Sequence, residues 1–144
     1  MMSISLQDFK YTTPIEIRWR DLDAMNHVNN SVYLTYLEQA RTHYLHDAIQ
    51  WDWQTDGLIL ANVNIAFKVA LILTDKPIVH VRCTHIGNKS FTLQCCITTV
   101  RNDETIVAAF ADTVLVVYDY KTEKTLPLSE VKRLKLQSFE GMIE

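Results

Sequence analysis

Two carboxylates one residue apart, Asp21 and Asp23, are followed at once by His27, Asn29, Asn30 and Ser31. Behind them Tyr33, Leu37, Ala40, Tyr44 and Ala48 recur at spacings of three and four, the period of a helix. Asn29, Asn30 and Ser31 are residue types that start helices well, because a short polar side chain can accept from a first-turn N–H. The first N–H groups of a helix have no intrahelical partner and carry a net positive field. Such donors can hold a carbonyl oxygen as it gains charge, and losing one costs about 2.7–4 kcal/mol of transition-state stabilisation. A carboxylate nearby can act toward that carbonyl as general base or nucleophile. An acid beside a helix start is therefore an acyl-transfer kit that needs neither Ser nor Cys. If the chain is still extended there, Asp21 and Asp23 lie on one side, so the residues alone leave open which of them acts. His27 and Asn29 are placed to shape the loop and to hydrogen-bond the carboxylate.

The elements that would position this stretch can be read from periodicity. Ile15, Ile17 and Trp19 alternate with Glu16, Arg18 and Arg20, which predicts a half-buried strand ending at Asp21. A helix follows from about Ser31 to about Ile49, with Val32, Tyr36, Leu45 and Ile49 widening its apolar surface well beyond a stripe. Residues 50–57 form a connector. Strands are expected over 58–69, 78–86 (with Val79, Val81 and Cys83 on one face), 89–100 and 105–118, the last covered on both faces. Gly87-Asn88 predicts a two-residue hairpin with glycine at its first central position, and Asn102-Asp103 another turn. After Pro127 and Ser129, the residues Val131, Leu134 and Phe139 suggest a final amphipathic helix. Short connections favour a meander of these four strands and a largely antiparallel sheet. One helix is little cover for about five strands, so an α+β architecture with a strongly curved sheet wrapped around the long helix is the economical solution. Its leftover edge and face would suit a second copy of the chain.

Composition removes most rival chemistries. The chain has 144 residues, 48% hydrophobic and 22% charged, consistent with one globular domain over 1–144. The formal net charge is -3, with no basic stripe of the kind that binds nucleic acid. The only glycines are Gly57, Gly87 and Gly141. Dinucleotide fingerprints, phosphate-binding P-loops and the Gly-x-Ser-x-Gly elbow all need closely spaced glycines, and none can be built. Cys83, Cys95 and Cys96 form no Cys-x-x-Cys pair. Asp23 and His27 lack a third ligand at a clear spacing, so neither a metal nor another cofactor is expected. His80 and His85 have opposite strand parity and do not converge. Trp19, Trp51 and Trp53 read as packing or interface residues. No apolar run reaches membrane-spanning length and no secretory signal is seen, which makes the cytoplasm the expected location.

The stretch Trp19-Arg20-Asp21-Leu22-Asp23-Ala24-Met25-Asn26-His27-Val28-Asn29-Asn30, with Tyr33-Leu34 and Leu37-Glu38-Gln39-Ala40-Arg41 after it, resembles the active-site segment of hotdog-fold acyl-CoA thioesterases. The nearest branch is the 4-hydroxybenzoyl-CoA thioesterase-like one, and within it the bacterial long-chain acyl-CoA members. The resemblance extends to Asn62-Val63-Asn64-Ile65, to Gly87-Asn88-Lys89-Ser90 and to Val114–Tyr118, and so spans nearly the whole chain. It implies a sheet wrapped around a central helix, and a homodimer or homotetramer with active sites where subunits meet. It implies hydrolysis of a fatty or aromatic acyl-CoA to free acid and CoA. It places the family's carboxylate at Asp23, its carbonyl-polarising amide at Asn30 or Ser31, and a CoA phosphate contact at Lys89, with Ser90, His27 and Asn29 as further substrate-binding residues. Two positions depart from the pattern. The family often carries Gly in the loop where Met25 and Asn26 stand, and Arg-Arg-Pro where Lys68-Val69-Ala70 stands, which withdraws its support for a CoA contact at Lys68. A carrier-protein thioesterase and a non-catalytic acyl-CoA-binding module are the alternatives. A hotdog dehydratase is disfavoured by the lack of a His followed by Pro-Gly-x-Pro.

Overall fold

The computed structural model describes residues 4–141. Strand β1 (Tyr11–Pro14) leads into an irregular segment, then helix α1 (Asn30–Tyr44), which runs on as a π-helical turn over Leu45–Ile49. Strands β2 (Gly57–Phe67), β3 (Ile78–Ile86), β4 (Ser90–Arg101) and β5 (Glu104–Asp119) follow, then a two-residue β6 (Lys124–Thr125) and helix α2 (Glu130–Glu140). All pairings are antiparallel, in the order β1-β3-β4-β5-β2, with β6 added to β5; β2 therefore lies at the far edge beside β5 and not beside β3, as a meander of four strands would place it. The sheet curls around α1, as the near-circumferential apolar surface of that helix requires. Tyr33, Tyr36, Leu37, Ala40 and Tyr44 of α1 are buried among Val79, Val81, Leu93, Ala111 and Leu115. Each such large aliphatic side chain contributes about 1.5–3 kcal/mol when fully buried. No described helix is long and apolar enough to cross a membrane.

The first strand lies earlier in the chain than the alternation predicts. Ladder pairing with β3 ends at Pro14, and beyond it only the Ile15 N–H reaches Pro77, at 3.0 Å. Ile15 and Ile17 are buried as expected, but Trp19 is 77% exposed and opens a single 3-10 turn over Trp19–Asp21. The alternation reported burial beside α1 rather than a ladder. The Asp21 side chain accepts from the Arg18 N–H, a local bond that competes with strand pairing.

Three other expectations are corrected. Gly87 does not adopt the left-handed backbone: it pairs with Ser90 across the two-residue loop Asn88-Lys89, its N–H 2.7 Å from the Ser90 carbonyl. A bulge between Cys83 and His85 leaves His80 opposite Cys96 and His85 opposite Thr92, so both histidines share the outer face, though several residues apart. In α2, Lys132 and Leu136 face inward, while Val131 and Leu134 are 64% and 55% exposed. The Asn102-Asp103 turn forms as expected, with both residues at positive φ.

Candidate active site

Asp21 and Asp23 do not share a side. Asp21 is 1% exposed and fully engaged. Its Oδ1 accepts from Arg18 Nε at 3.1 Å and Nη2 at 2.9 Å, and its Oδ2 accepts from the Arg18 N–H at 2.9 Å and the Tyr36 hydroxyl at 2.7 Å. Burial is the largest single influence on its ionisation and opposes it. The Arg18 N–H, the Tyr36 hydroxyl and the Arg18 guanidinium together outweigh burial and hold the carboxyl below its ordinary value. Burial first, and the Asp21 carboxylate second, raise the Tyr36 hydroxyl above its ordinary range. Tyr36 therefore stays protonated and donates.

Asp23, two residues on, is exposed. Its Oδ1 accepts from the N–H of Met25 at 2.9 Å and of His27 at 3.2 Å, while no described residue donates to Oδ2. Backbone bonds from Asp23 N–H to His27 O (2.8 Å) and from Asn26 N–H to Asp23 O (3.0 Å) close the loop. Asn26 sits at φ 62, a left-handed conformation that asparagine tolerates better than most non-glycine residues. That explains how the chain manages without the family's glycine. Leu22 bridges to Val28, and Asn29 N–H reaches Asp21 O at 2.9 Å, so the loop returns to its starting point as the helix begins.

The helix start separates the two proposed amides. Asn29 is the N-cap: its Oδ1 accepts from the Ser31 N–H and the Ser31 hydroxyl, both at 3.0 Å. Asn29 thus serves the helix and makes no described bond to Asp23, and His27 reaches Asp23 through its backbone rather than its ring. Among the described residues nothing accepts from the Asn30 N–H, the first amide of α1. Of the two, Asn30 has the donor available to a ligand.

The supports of this loop are residues that periodicity alone reads as apolar or as punctuation. Tyr33 accepts from Leu71 N–H through its hydroxyl at 3.1 Å, and Leu71 O accepts from Val28 N–H at 2.9 Å. The turn holding Leu71 is anchored in turn by buried Asp75, which accepts from Ile72 N–H, Thr99 and Arg101. Tyrosines on a buried helix face need partners for their hydroxyls, and that was the available signal.

Lys89 and Ser90 lie elsewhere. Arg101, at one end of β4, touches the turn behind the Asp23 loop, while Ser90 begins the other end. Twelve residues span these ends, roughly 35 Å at about 3.3 Å per residue. Within one chain Lys89 is therefore not brought to Asp23. It is exposed, with its Nζ 3.2 Å from Thr125 Oγ1.

Known proteins share this architecture. A model of the Thioesterase-like superfamily matches residues 17–136. The long-chain acyl-CoA thioesterase FadM of Escherichia coli K12 is 33% identical over 128 residues, covering 87% of this chain and 96% of that protein. A thioesterase from Thermus thermophilus, solved in complex with coenzyme A and Zn, superposes with a TM-score of 0.82 at 30% identity, covering 94% of this chain and 98% of that one. A 4-hydroxybenzoyl CoA thioesterase variant complexed with 4-hydroxybenzoyl CoA shares the fold, with a TM-score of 0.82 at 15% identity over 88% of this chain and 97% of that one. With a curled antiparallel sheet around one helix, and a family match that runs from the approach to the Asp23 loop into the last helix, this chain belongs to the thioesterase-like superfamily.

Proposed function

We propose that the protein hydrolyses acyl-CoA thioesters to free acid and CoA, with Asp23 and the Asn30 N–H as its chemical groups. One observation carries this reading. A single loop exposes a carboxylate oxygen that has no donor among the described residues, and ends in the unengaged first amide of a 15-residue helix. With Oδ1 held by two amides, Oδ2 is the oxygen that acts. As a base it takes a proton from water, whose oxygen attacks the thioester carbonyl. As a nucleophile it attacks that carbon itself, and water then cleaves the mixed anhydride. In either route the carbonyl oxygen becomes an oxyanion beside the Asn30 N–H, the C–S bond breaks, and the departing CoA thiolate is left to take up a proton. A single turnover in ¹⁸O-water tests the anhydride route: label in the Asp23 carboxyl with an unlabelled product acid marks an anhydride opened by water at the Asp23 carbon, an outcome the general-base route does not give.

In this reading Lys89 and Ser90 are supplied by a second copy of the chain, in a homodimer or a dimer of dimers with sites between subunits. The free edge of β2, an 11-residue strand at the end of the sheet with Leu60 and Phe67 exposed, offers the surface. The test of function is thiol release from a panel of acyl-CoAs, from acetyl to palmitoyl with one aromatic thioester. Catalytic release from at least one member is expected. Intact acyl-CoA recovered in stable complex from every member would replace the enzyme by a binding module, and a higher specificity constant for acyl carrier protein would move the substrate class.

A further inference from the structure

Asp21 is buried beside the proposed site yet lies on a different side of the loop from Asp23. Capping the short turn over Trp19–Asp21 needs only Arg18, which already supplies three donors. The fourth bond comes from Tyr36, fifteen residues along the chain, and does nothing for that turn. It ties the turn to α1. The Asp21 carbonyl makes a second tie, to the N–H of the N-cap Asn29. Asn29 and Tyr36 are seven residues apart, close to two helical turns, so both ties meet one face of α1.

We propose that Asp21, acting through Tyr36, is the positioning residue that fixes the Asp23 carboxylate relative to the Asn30 N–H; the proposal rests on the thioesterase reading above. One tie would let the loop pivot about its junction with the helix. Two ties at different heights fix both the separation and the tilt at the loop's entry. At its exit, Val28 and Leu71 are fixed by the Tyr33 hydroxyl on the same helix. Helix, base and oxyanion donor thereby become one rigid unit. A displacement of about 1 Å between such groups can cost on the order of a hundredfold in rate.

The test is Tyr36→Phe, which removes only the hydroxyl, set against Tyr44→Phe. Tyr44 donates to Glu140 at 2.6 Å, so the control deletes a comparable hydrogen bond near the other end of the same helix. Steady-state thiol release and a thermal melt are measured for both. Tyr36→Phe is expected to lower kcat about tenfold or more with KM within about threefold. Tyr44→Phe is expected to melt earlier by a similar amount but turn over normally. Asp21→Asn should follow Tyr36→Phe if it folds. Wild-type kcat in Tyr36→Phe overturns the proposal, and so does an equal loss of kcat in Tyr44→Phe, which would make the effect general destabilisation. Asp23→Asn is run alongside: its full turnover would remove the underlying site and the positioning role with it, whereas an inactive Asp23→Asn with a fully active Tyr36→Phe removes the positioning role alone.

Discussion

Around Asp23 the protein spends buried and half-buried polar groups freely. Asp21, Tyr33, Tyr36, Asp75 and Arg101 are hydrogen-bonded to one another or to backbone, and together they hold an otherwise irregular loop. The turn bearing Lys89 is held differently. Its backbone is gripped by Val117 N–H, Leu128 N–H and the Arg133 guanidinium, yet the lysine head reaches only Thr125 and is otherwise in solvent. The difference matches two chemical tasks. Charge development on a carbonyl oxygen needs donor and base fixed to within a fraction of an ångström. A phosphate met by an ammonium group needs only a point charge in the right neighbourhood.

The largest break in that comparison should come from Asp23→Asn. The amide keeps the shape and can still accept from Met25 and His27, but it is neither base nor nucleophile. Thiol release should fall by about a thousandfold or more with the melting temperature and oligomeric state unchanged. Next comes Asn30→Pro. Proline suits the first position of a helix, and Asn29, at φ -61 and ψ 137, already has the extended backbone that precedes proline. The N–H is lost together with the exposed Asn30 side chain, and Asn30→Ala, which keeps the N–H, controls for the side chain. A fall in kcat of about a hundredfold to a thousandfold is expected. Wild-type kcat in a folded Asn30→Pro would transfer the oxyanion role to another donor.

The same contrast explains what could be read from the residues. The start of α1 was legible because Asn29 caps it locally and the apolar period begins at once. The choice of Asp23 over Asp21 came from family resemblance; nothing in the spacing reveals that Asp21 is buried, because one partner, Tyr36, is fifteen residues away and the other, Arg18, breaks the strand that parity assumed. The β3-β4 and β4-β5 hairpins were legible from alternation and turns, but the place of β2 was not, since a four-strand meander sets it beside β3 and it pairs instead with β5. The bulge at residue 84 was not, since one extra residue reverses facing without altering composition. Lys89 was legible as a turn residue, but its distance from Asp23 depends on the pairing of whole strands.

The Asp23 end should also answer to pH. Asp75 resembles Asp21: burial acts most strongly and opposes ionisation, but Arg101, the Ile72 N–H and Thr99 together lower its carboxyl below the ordinary value. A carboxyl lowered by folding contributes stability that is fully present above its unfolded value of about 3.9 and is lost as pH falls through the lower folded value. Acid titration followed by near-UV dichroism and thermal melts should show stability falling below about pH 4. Asp75→Asn should cost about 2 kcal/mol at neutral pH by weakening charge-assisted bonds, and should flatten the acid limb. An unchanged acid limb would mean that other carboxylates govern it.

The smallest effect belongs to Lys89→Ala. If the lysine meets a CoA phosphate from across the subunit boundary, its loss removes binding common to ground and transition states, so KM rises and kcat holds. Exposed charge pairs contribute about 0.2–1 kcal/mol, which sets the increase at a few-fold. Salt sharpens the reading, because screening weakens an exposed ammonium–phosphate contact in the wild type but has little left to weaken in the variant. The two KM values should therefore converge as ionic strength rises. A fall in kcat with unchanged KM would place Lys89 inside the fixed part of the site. No change at any ionic strength would leave it an ordinary turn lysine, and the phosphate contact would have to be sought elsewhere on the partner's surface.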